Sequence, residues 1–170
     1  MVEPLSVDVI VADAQWSTLV ADLETIVVAA AQAAWRESPL RPGPLPQAGC
    51  LVTILLENDV TIQELNRQFR NQDKPTNVLS FVGEGAAMVP EEPWLLGDIV
   101  IAQEVTAAEA AAENKSVSDH LRHLTVHGML HLLGYDHETD ADAQEMESLE
   151  IQILAQMGVR DPYVFQDSAP

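Results

Sequence analysis

Four short segments of the chain have the alternating or mainly apolar patterns that are typical of β-strands. The first, VDVIVAD, alternates along its length, and the other three are CLVTILLEN, NVLSFV and LLGDIVIA. These patterns predict strands over residues 7–13, 50–58, 77–82 and 95–102.

The remaining patterned segments predict helices. An amphipathic, alanine-rich stretch predicts the first, and Thr61, with Glu64 at the capping-box position, marks the start of the second. Ser118 is predicted to cap the helix that carries most of the histidines, and Gly134 to end it. The predicted helices run over about residues 17–35, 61–71, 103–114, 118–134 and 140–157.

Strands mixed with helices predict an α/β or α+β protein with helices packed on a sheet. Because the connections include both hairpin-like loops and helices, we predict a mixed sheet of about four strands with about five helices. ESPLRPGPLPQAG and GEGAAMVPEEPW are interpreted as loops, the second exposed. At 170 residues, the chain is predicted to form a single domain over residues 1–160, followed by a C-terminal tail over residues 161–170.

The composition limits the class of protein and the cellular compartment. Hydrophobic residues make up 47% of the chain, which excludes general disorder. The N-terminus has no basic region of the signal-peptide type, and no apolar stretch approaches the roughly 20 residues that span a bilayer. Cys50 is the only cysteine, so no internal disulfide can form. We therefore expect a soluble cytoplasmic domain without a membrane partner.

The net charge of −19 is unusual for a protein that binds nucleic acid. Three of the eight basic side chains nevertheless lie close together, as Arg67, Arg70 and Lys74. Much of the acid lies elsewhere, in ETDADAQEMESLE and GEGAAMVPEEP, and we interpret it as solvated surface.

The segment HGMLHLLGYDH carries three of the chain's five histidines. His127 and His131 are four residues apart and share one helix face, which His123 also shares. Residues eight apart are separated by roughly 12 Å along a helix, too far for His123 and His131 to bind one zinc ion. Gly134 breaks the helix and lets the chain bring His137 back toward the pair. We predict metal ligands at 127, 131 and 137, with His123 outside the ligand set or facing the substrate.

Three nitrogen ligands leave a fourth position open, as in catalytic zinc sites. The spacing H-x-x-x-H-x-x-G-x-x-H matches the metzincin protease pattern, but Gly128 stands where those proteases have a glutamate base. Glycine inside a helix costs about 1 kcal/mol relative to alanine, so Gly128 is expected to make room for packing. The pattern therefore predicts a zinc site adapted to chemistry other than proteolysis.

HGMLHLLGYDH resembles the signature of the YbeY-type endoribonucleases, a family of ribosomal RNA maturation factors. LNRQFRNQDKPTNVLSF (65–81) and LLGDIVI (95–101) are similar to two further family signatures, in family order and spacing. The resemblance implies a bacterial, cytoplasmic, metal-dependent endoribonuclease that cleaves single strands. It implies roles in small-subunit ribosomal RNA maturation, especially at the 3′ end, and in ribosome quality control.

The resemblance also implies one zinc per chain on His127, His131 and His137, and a catalytic part for Arg70. The expected partners are ribosomal RNA and the ribosome or its proteins, with no DNA.

Several other side chains are candidates for contact with the substrate. A guanidinium can hold a phosphate through two hydrogen bonds and an ammonium attracts it as a point charge, so Arg70, Arg67 and Lys74 are expected to meet RNA phosphates. Ser80 is expected to line the groove. Asp136 either orients a metal histidine or shapes the turn that contains it.

Two other functions stay open at this point. A metal-dependent hydrolase of a peptide or amide bond would need a carboxylate near the metal, and Gly128 removes the usual one. A ribosome-associated assembly factor with a structural zinc is opposed by the open fourth ligand position.

Overall fold

The computed structural model describes residues 4–85 and 89–164. Within these residues the chain forms six helices and one four-stranded sheet. In chain order the elements are β1 (Leu5–Val11), α1 (Gln15–Leu19), α2 (Leu23–Glu37), β2 (Cys50–Glu57), α3 (Asp59–Arg70), β3 (Val78–Gly85), β4 (Trp94–Ala102), α4 (Gln103–Ala112), α5 (Val117–Leu132) and α6 (Asp140–Gln156).

The strand order in the sheet is β1-β2-β4-β3. β1 is parallel to β2 and β2 to β4, whereas β3 pairs with β4 in the antiparallel direction. The mixed sheet of four strands and the single-domain α+β class are therefore confirmed. β3 forms one edge of the sheet, and this edge borders the candidate site.

Helices cover both faces of the sheet, because alternate residues of the central strands are apolar on both sides. On one face, Ile54 and Ile99 are fully buried in a core shared with α2, α5 and α6. On the other, Val100 packs in a smaller cluster with Ile62 of α3. The larger core fixes α5 on the sheet, and α5 carries the histidines.

The first predicted helix, over residues 17–35, is in fact two helices. Asp22 separates α1 from α2, with a φ of 54° in the left-handed region. α1 ends because Val20 has extended backbone, and Asp22 then precedes α2, so two non-helical residues interrupt a path that the alanine-rich pattern shows as continuous. This break accounts for six described helices where about five were predicted.

Two predicted helix caps are displaced along the chain. Asn58, not Thr61, caps α3: its side chain accepts a hydrogen bond from the Thr61 backbone N–H at 2.9 Å. Ser116, not Ser118, caps α5. In both cases the cap is an earlier polar residue with extended backbone, and the predicted cap lies inside the helix.

The predicted loop over 83–94 is shorter than expected, because β3 continues to Gly85 and β4 begins at Trp94. Residues 86–88 of that loop lie outside the described residues, as do residues 165–170 of the predicted tail. In the part of the chain that the structure describes, no helix is long and apolar enough to cross a membrane.

Candidate metal centre

His127 and His131 project from consecutive turns of α5 toward one point. Their Nε2 atoms are 3.1 Å apart, close to the separation of about 3.3 Å between two ligands on a tetrahedral zinc. Gly134, with a φ of 109°, turns the chain after the helix and brings His137 to the pair. The ligand atoms of the three histidines all lie within 4.8 Å of one another. The structure thus brings together the three predicted ligands in a group that can hold a metal ion.

The hydrogen bonds at Nδ1 set the tautomers of the two helical rings. His131 Nδ1 is 3.1 Å from the Tyr135 carbonyl oxygen, which can only accept, so this nitrogen donates. His127 Nδ1 donates to Glu150 Oε1 at 2.5 Å. In neutral rings both Nε2 atoms then carry lone pairs that face each other. A cation between them removes their repulsion, and imidazole nitrogens suit zinc.

The environment of His131 favours the neutral ring that a metal requires. Burial lowers its pKa below the usual value, and positive charge on His127 or His137 would lower it further. A neutral imidazole at physiological pH does not have to lose a proton before it binds a metal.

Glu150 of α6 is a fully buried carboxylate beside the histidines. Its Oε1 accepts from His127, its Oε2 accepts from the Tyr163 hydroxyl, and His123 Nε2 is 3.6 Å away. Burial raises the pKa of Glu150, but His123 and His127 outweigh burial and lower it to about 2. Burial and the Glu150 charge raise the pKa of Tyr163, so its hydroxyl stays protonated. The sequence interpretation missed Glu150 because it treated this acidic segment as solvated surface.

Gly128 makes room for the helix, as expected. A Cβ at this position would lie 2.8 Å from Ile99 Cγ2 and 3.2 Å from Ser80 Oγ. The Ser80 hydroxyl donates to the Gly128 carbonyl at 3.2 Å. Glycine therefore lets α5 approach β3 and β4 closely enough to place His127 beside Ser80.

A cleft of about 720 Å³ runs between the β3 edge and the end of α5. Six of the predicted site residues line it: Arg70, Ser80, His127, His131, Asp136 and His137. Three do not line this cleft: Arg67, Lys74 and His123.

Arg70 is held at the rim of the cleft by backbone and ring contacts. Its guanidinium donates to the Ser80 carbonyl at 2.9 Å and to the Phe69 carbonyl at 3.2 Å. The guanidinium carbon also lies 4.9 Å from the ring centroid of Phe81, within the range of a cation–π contact. These contacts orient a permanent positive charge beside the histidines.

Of the other two predicted basic residues, Arg67 lies one turn earlier on α3 and Lys74 lies in the loop that follows the helix. Arg67 is exposed and pairs with Glu64, three residues earlier on the helix. Lys74 is exposed, and its backbone carbonyl accepts from the Asn66 side chain at 2.9 Å. Their contacts with RNA stay predictions.

His123 and Asp136 flank the three-histidine group. His123 lines a separate cavity of about 610 Å³, and its Nε2 is 3.3 Å from the Tyr163 hydroxyl oxygen. Asp136 Oδ1 accepts from the backbone N–H of His137 at 2.6 Å, so it shapes the turn that presents this histidine. Whether either residue serves the metal or the substrate stays a prediction.

The fold and the site together define a class of protein: an α+β domain with a three-histidine metal-binding group at the end of a helix, facing a cleft beside an edge strand. A family model described as Endoribonuclease YbeY matches residues 12–158. The chain belongs to this family, which confirms the resemblance predicted from its motifs.

Known relatives cover most of the chain. A protein named Endoribonuclease YbeY from Azorhizobium caulinodans is 47% identical over 161 residues, which cover 94% of this chain and 96% of the relative. A protein of the same name from Paramagnetospirillum magneticum is 52% identical over 122 residues, or 70% of this chain and 74% of the relative. The solution structure of TM1509 from Thermotoga maritima has a TM-score of 0.53 at 23% identity, covering 97% of this chain and 99% of that one. This last likeness concerns the fold alone.

Proposed function

We propose that the chain is a zinc-dependent endoribonuclease that cleaves single-stranded RNA in the cytoplasm. We further propose that it acts on or with the ribosome, in maturation of the small-subunit ribosomal RNA 3′ end and in ribosome quality control. Membership of the endoribonuclease YbeY family supports RNA as the substrate class. The observation that carries the metal assignment is the pair of Nε2 atoms of His127 and His131, which face each other at 3.1 Å beside the cleft.

The residues that line the cleft, and the buried Glu150 behind them, have distinct parts in this proposal. His127, His131 and His137 would hold zinc, which when bound supplies Lewis-acid chemistry for phosphodiester hydrolysis. The carboxylate of Glu150 and the carbonyl of Tyr135 keep the two helical rings in one orientation. A guanidinium has five N–H donors, so the two backbone bonds of Arg70 leave others for an RNA phosphate.

The packing of Gly128 supports RNA over a peptide substrate. Proteases with this histidine spacing use a glutamate at the same position as general base. Here a Cβ would already meet Ile99 and Ser80, so the backbone leaves no space for such a side chain without movement of α5.

The openness of the site supports a catalytic zinc over a structural one. Structural zinc sites are closed by four protein ligands, whereas catalytic sites keep a position for water or substrate. Among the described residues, the group at the cleft contains three histidines, and His137 is exposed. An exposed ligand beside a cleft fits a centre that the substrate reaches.

The test combines metal analysis with cleavage of a defined RNA. Purified protein is supplied with an end-labelled RNA as a single strand and as a duplex, before and after chelation and zinc replacement. We expect cleavage of the single strand only, loss on chelation, recovery with zinc, and no cleavage by His131→Ala. Cleavage by His131→Ala at the wild-type rate, or intact RNA with zinc-loaded wild-type protein, would contradict the proposal.

A further inference from the structure

We infer that Glu150 and Tyr163 are positioning residues of the metal centre: Glu150 orients the ring of His127, and Tyr163 holds the Glu150 carboxylate in place. This inference rests on the proposed function in one respect, since it takes His127 as a metal ligand. It adds to the site one residue of α6 and one from the segment after it, both outside the histidine motif.

Both oxygens of the Glu150 carboxylate are engaged by a donor from a different part of the chain. Oε1 accepts a hydrogen bond at 2.5 Å from Nδ1 of His127, which lies on α5. Oε2 accepts a hydrogen bond from the hydroxyl of Tyr163, which follows α6. A carboxylate held at both oxygens cannot rotate freely, and its residue is fully buried. The ring of His127 is thereby restricted to the tautomer with hydrogen on Nδ1 and a lone pair on Nε2.

The negative charge of Glu150 also affects how well His127 binds a metal. A carboxylate that accepts the Nδ1 proton raises the basicity of the other ring nitrogen, which strengthens it as a ligand. His131 has a neutral partner in the same place, the Tyr135 carbonyl. We therefore expect the zinc affinity of the site to depend more on Glu150 than on any other residue outside the ligand set.

Tyr163 couples the segment after α6 to the metal centre. Its backbone N–H donates to Asp161 Oδ1 at 2.8 Å, which turns the chain so that the tyrosine faces inward. Its ring meets the His123 ring edge-on, with centroids 5.5 Å apart. His123 and Tyr163 lie next to Glu150, so they limit access of water to the carboxylate. The hydroxyl donates to Glu150 and so stabilises its charged form.

An alternative is that Glu150 is itself a metal ligand. His123, His127 and Glu150 also offer ligand atoms within 4.8 Å of one another, a second group that could hold a metal. A metal bound there would use His127 Nδ1 and displace the hydrogen bond to Glu150. The hydrogen-bonded arrangement, with His127 Nε2 directed at His131, favours Glu150 as an orienting partner and not a ligand.

The first experiment measures zinc affinity without RNA, by competition with a chromophoric chelator. The variants are Glu150→Gln, which keeps the shape of the side chain, and Tyr163→Phe, which removes only the hydroxyl. Glu145→Gln, an exposed residue of the same helix, is the matched control. Melting curves of the metal-free proteins show whether each variant is folded.

We expect Glu150→Gln to weaken zinc binding about 10- to 100-fold, as loss of such partners does in other metal sites. Tyr163→Phe should weaken it by a smaller factor than Glu150→Gln, because the tyrosine acts through the carboxylate, and Glu145→Gln should leave it unchanged. A folded Glu150→Gln protein with wild-type zinc affinity would overturn the inference. Complete loss of zinc from both Glu150→Gln and His123→Ala, with retention in His137→Ala, would overturn it in favour of the second group.

The second readout needs no metal, and its decisive measurement is made on the wild-type protein. Long-range ¹H–¹⁵N spectra of metal-free wild-type protein report which ring nitrogen of His127 carries hydrogen. We expect hydrogen on Nδ1, and a mixture of tautomers in Glu150→Gln; hydrogen on Nε2 in the wild type would overturn the inference. Wild-type protein that binds zinc through the three histidines, depends on Glu150 and leaves RNA intact would contradict the proposed function alone.

Discussion

Gly128 lies directly against the side chain of Ile99, and a Cβ on the glycine would be 2.8 Å from the isoleucine Cγ2. This contact sets the distance between α5 and β4. It therefore also sets the distance between the histidines of α5 and the β3 residues across the cleft. A packing relationship in the core determines the geometry of a polar site at its edge.

Substitution of Gly128 by alanine should destabilise the protein. Alanine would recover about 1 kcal/mol of helix propensity, but forcing a methyl group into a packed core typically costs about 1–3 kcal/mol. We expect the free energy of unfolding to fall by about 1 kcal/mol in urea denaturation of the metal-free protein. In a double-mutant cycle, Ile99→Ala should relieve part of this cost. A Gly128→Ala protein more stable than wild type would show that the contact does not constrain α5.

The choice of His137 over His123 as third ligand can be tested by metal analysis. Purified protein should contain about one zinc per chain, and His127→Ala, His131→Ala and His137→Ala should each remove most of it. His123→Ala should retain zinc, because its ring lies on the Tyr163 side of His127. Loss of zinc in His123→Ala with retention in His137→Ala would reverse the assignment.

Arg70→Glu should abolish RNA cleavage and leave zinc content unchanged. The arginine is exposed and bonds to backbone carbonyls, so reversal of its charge should lower the free energy of unfolding by less than about 1 kcal/mol. Arg36→Glu, on exposed Arg36 of α2, is a matched charge reversal outside the cleft and should cleave RNA normally. Normal ribosomal RNA maturation in cells that carry Arg70→Glu would remove Arg70 from the site.

The acidity of the chain predicts a shallow salt dependence of RNA binding. If Arg70, Arg67 and Lys74 meet three phosphates, the slope of log affinity against log salt is about −2, at roughly 0.7 per phosphate on a single strand. Lys74→Ala should flatten this slope by a little under one unit without loss of zinc. Naked RNA should bind weakly, with the ribosome or its proteins supplying further affinity. A slope steeper than about −5 would require a larger basic surface than these three residues provide.

The stability of the metal-free protein should fall as the pH drops from 6.5 toward 5. Burial lowers the pKa of His120 and of His131 below the usual 6.5, so in this range the unfolded chain binds more protons than the folded one. Stability then rises with pH and is lost on acidification. Urea denaturation at several pH values should show a smaller decline for His120→Gln than for wild type. Equal slopes for the two proteins would contradict a neutral, buried His120.

The elements that the sequence predicts well are those with strong local patterns. The four strands follow from their apolar runs, and the proximity of the three histidines follows from helix geometry around His127, His131 and Gly134. The break between α1 and α2 was missed because the extended Val20 and the left-handed Asp22 leave no trace in an apolar pattern. The caps were displaced because several polar residues precede each helix, and only the backbone shows which one is extended.

Glu150 shows a second limit of prediction from the sequence, because its partner is distant along the chain. It lies in an acidic segment, yet it is fully buried while Glu145 and Glu147 on the same helix are exposed. A local signal exists, because Glu150 falls between Met146 and Leu154 at helical spacing and so lies on the buried face of α6. Its partner His127 is 23 residues away, and sequence spacing alone does not pair them.

The bond between Arg70 and the Ser80 carbonyl also lies at the exposed edge of the sheet. β3 is an edge strand, and such strands can recruit a strand from another molecule through unpaired backbone groups. The Arg70 guanidinium covers one of these groups with a fixed positive charge. A second copy approaching in register would place the same charge opposite it, so we expect the residue proposed to hold RNA to disfavour self-association through the sheet edge as well.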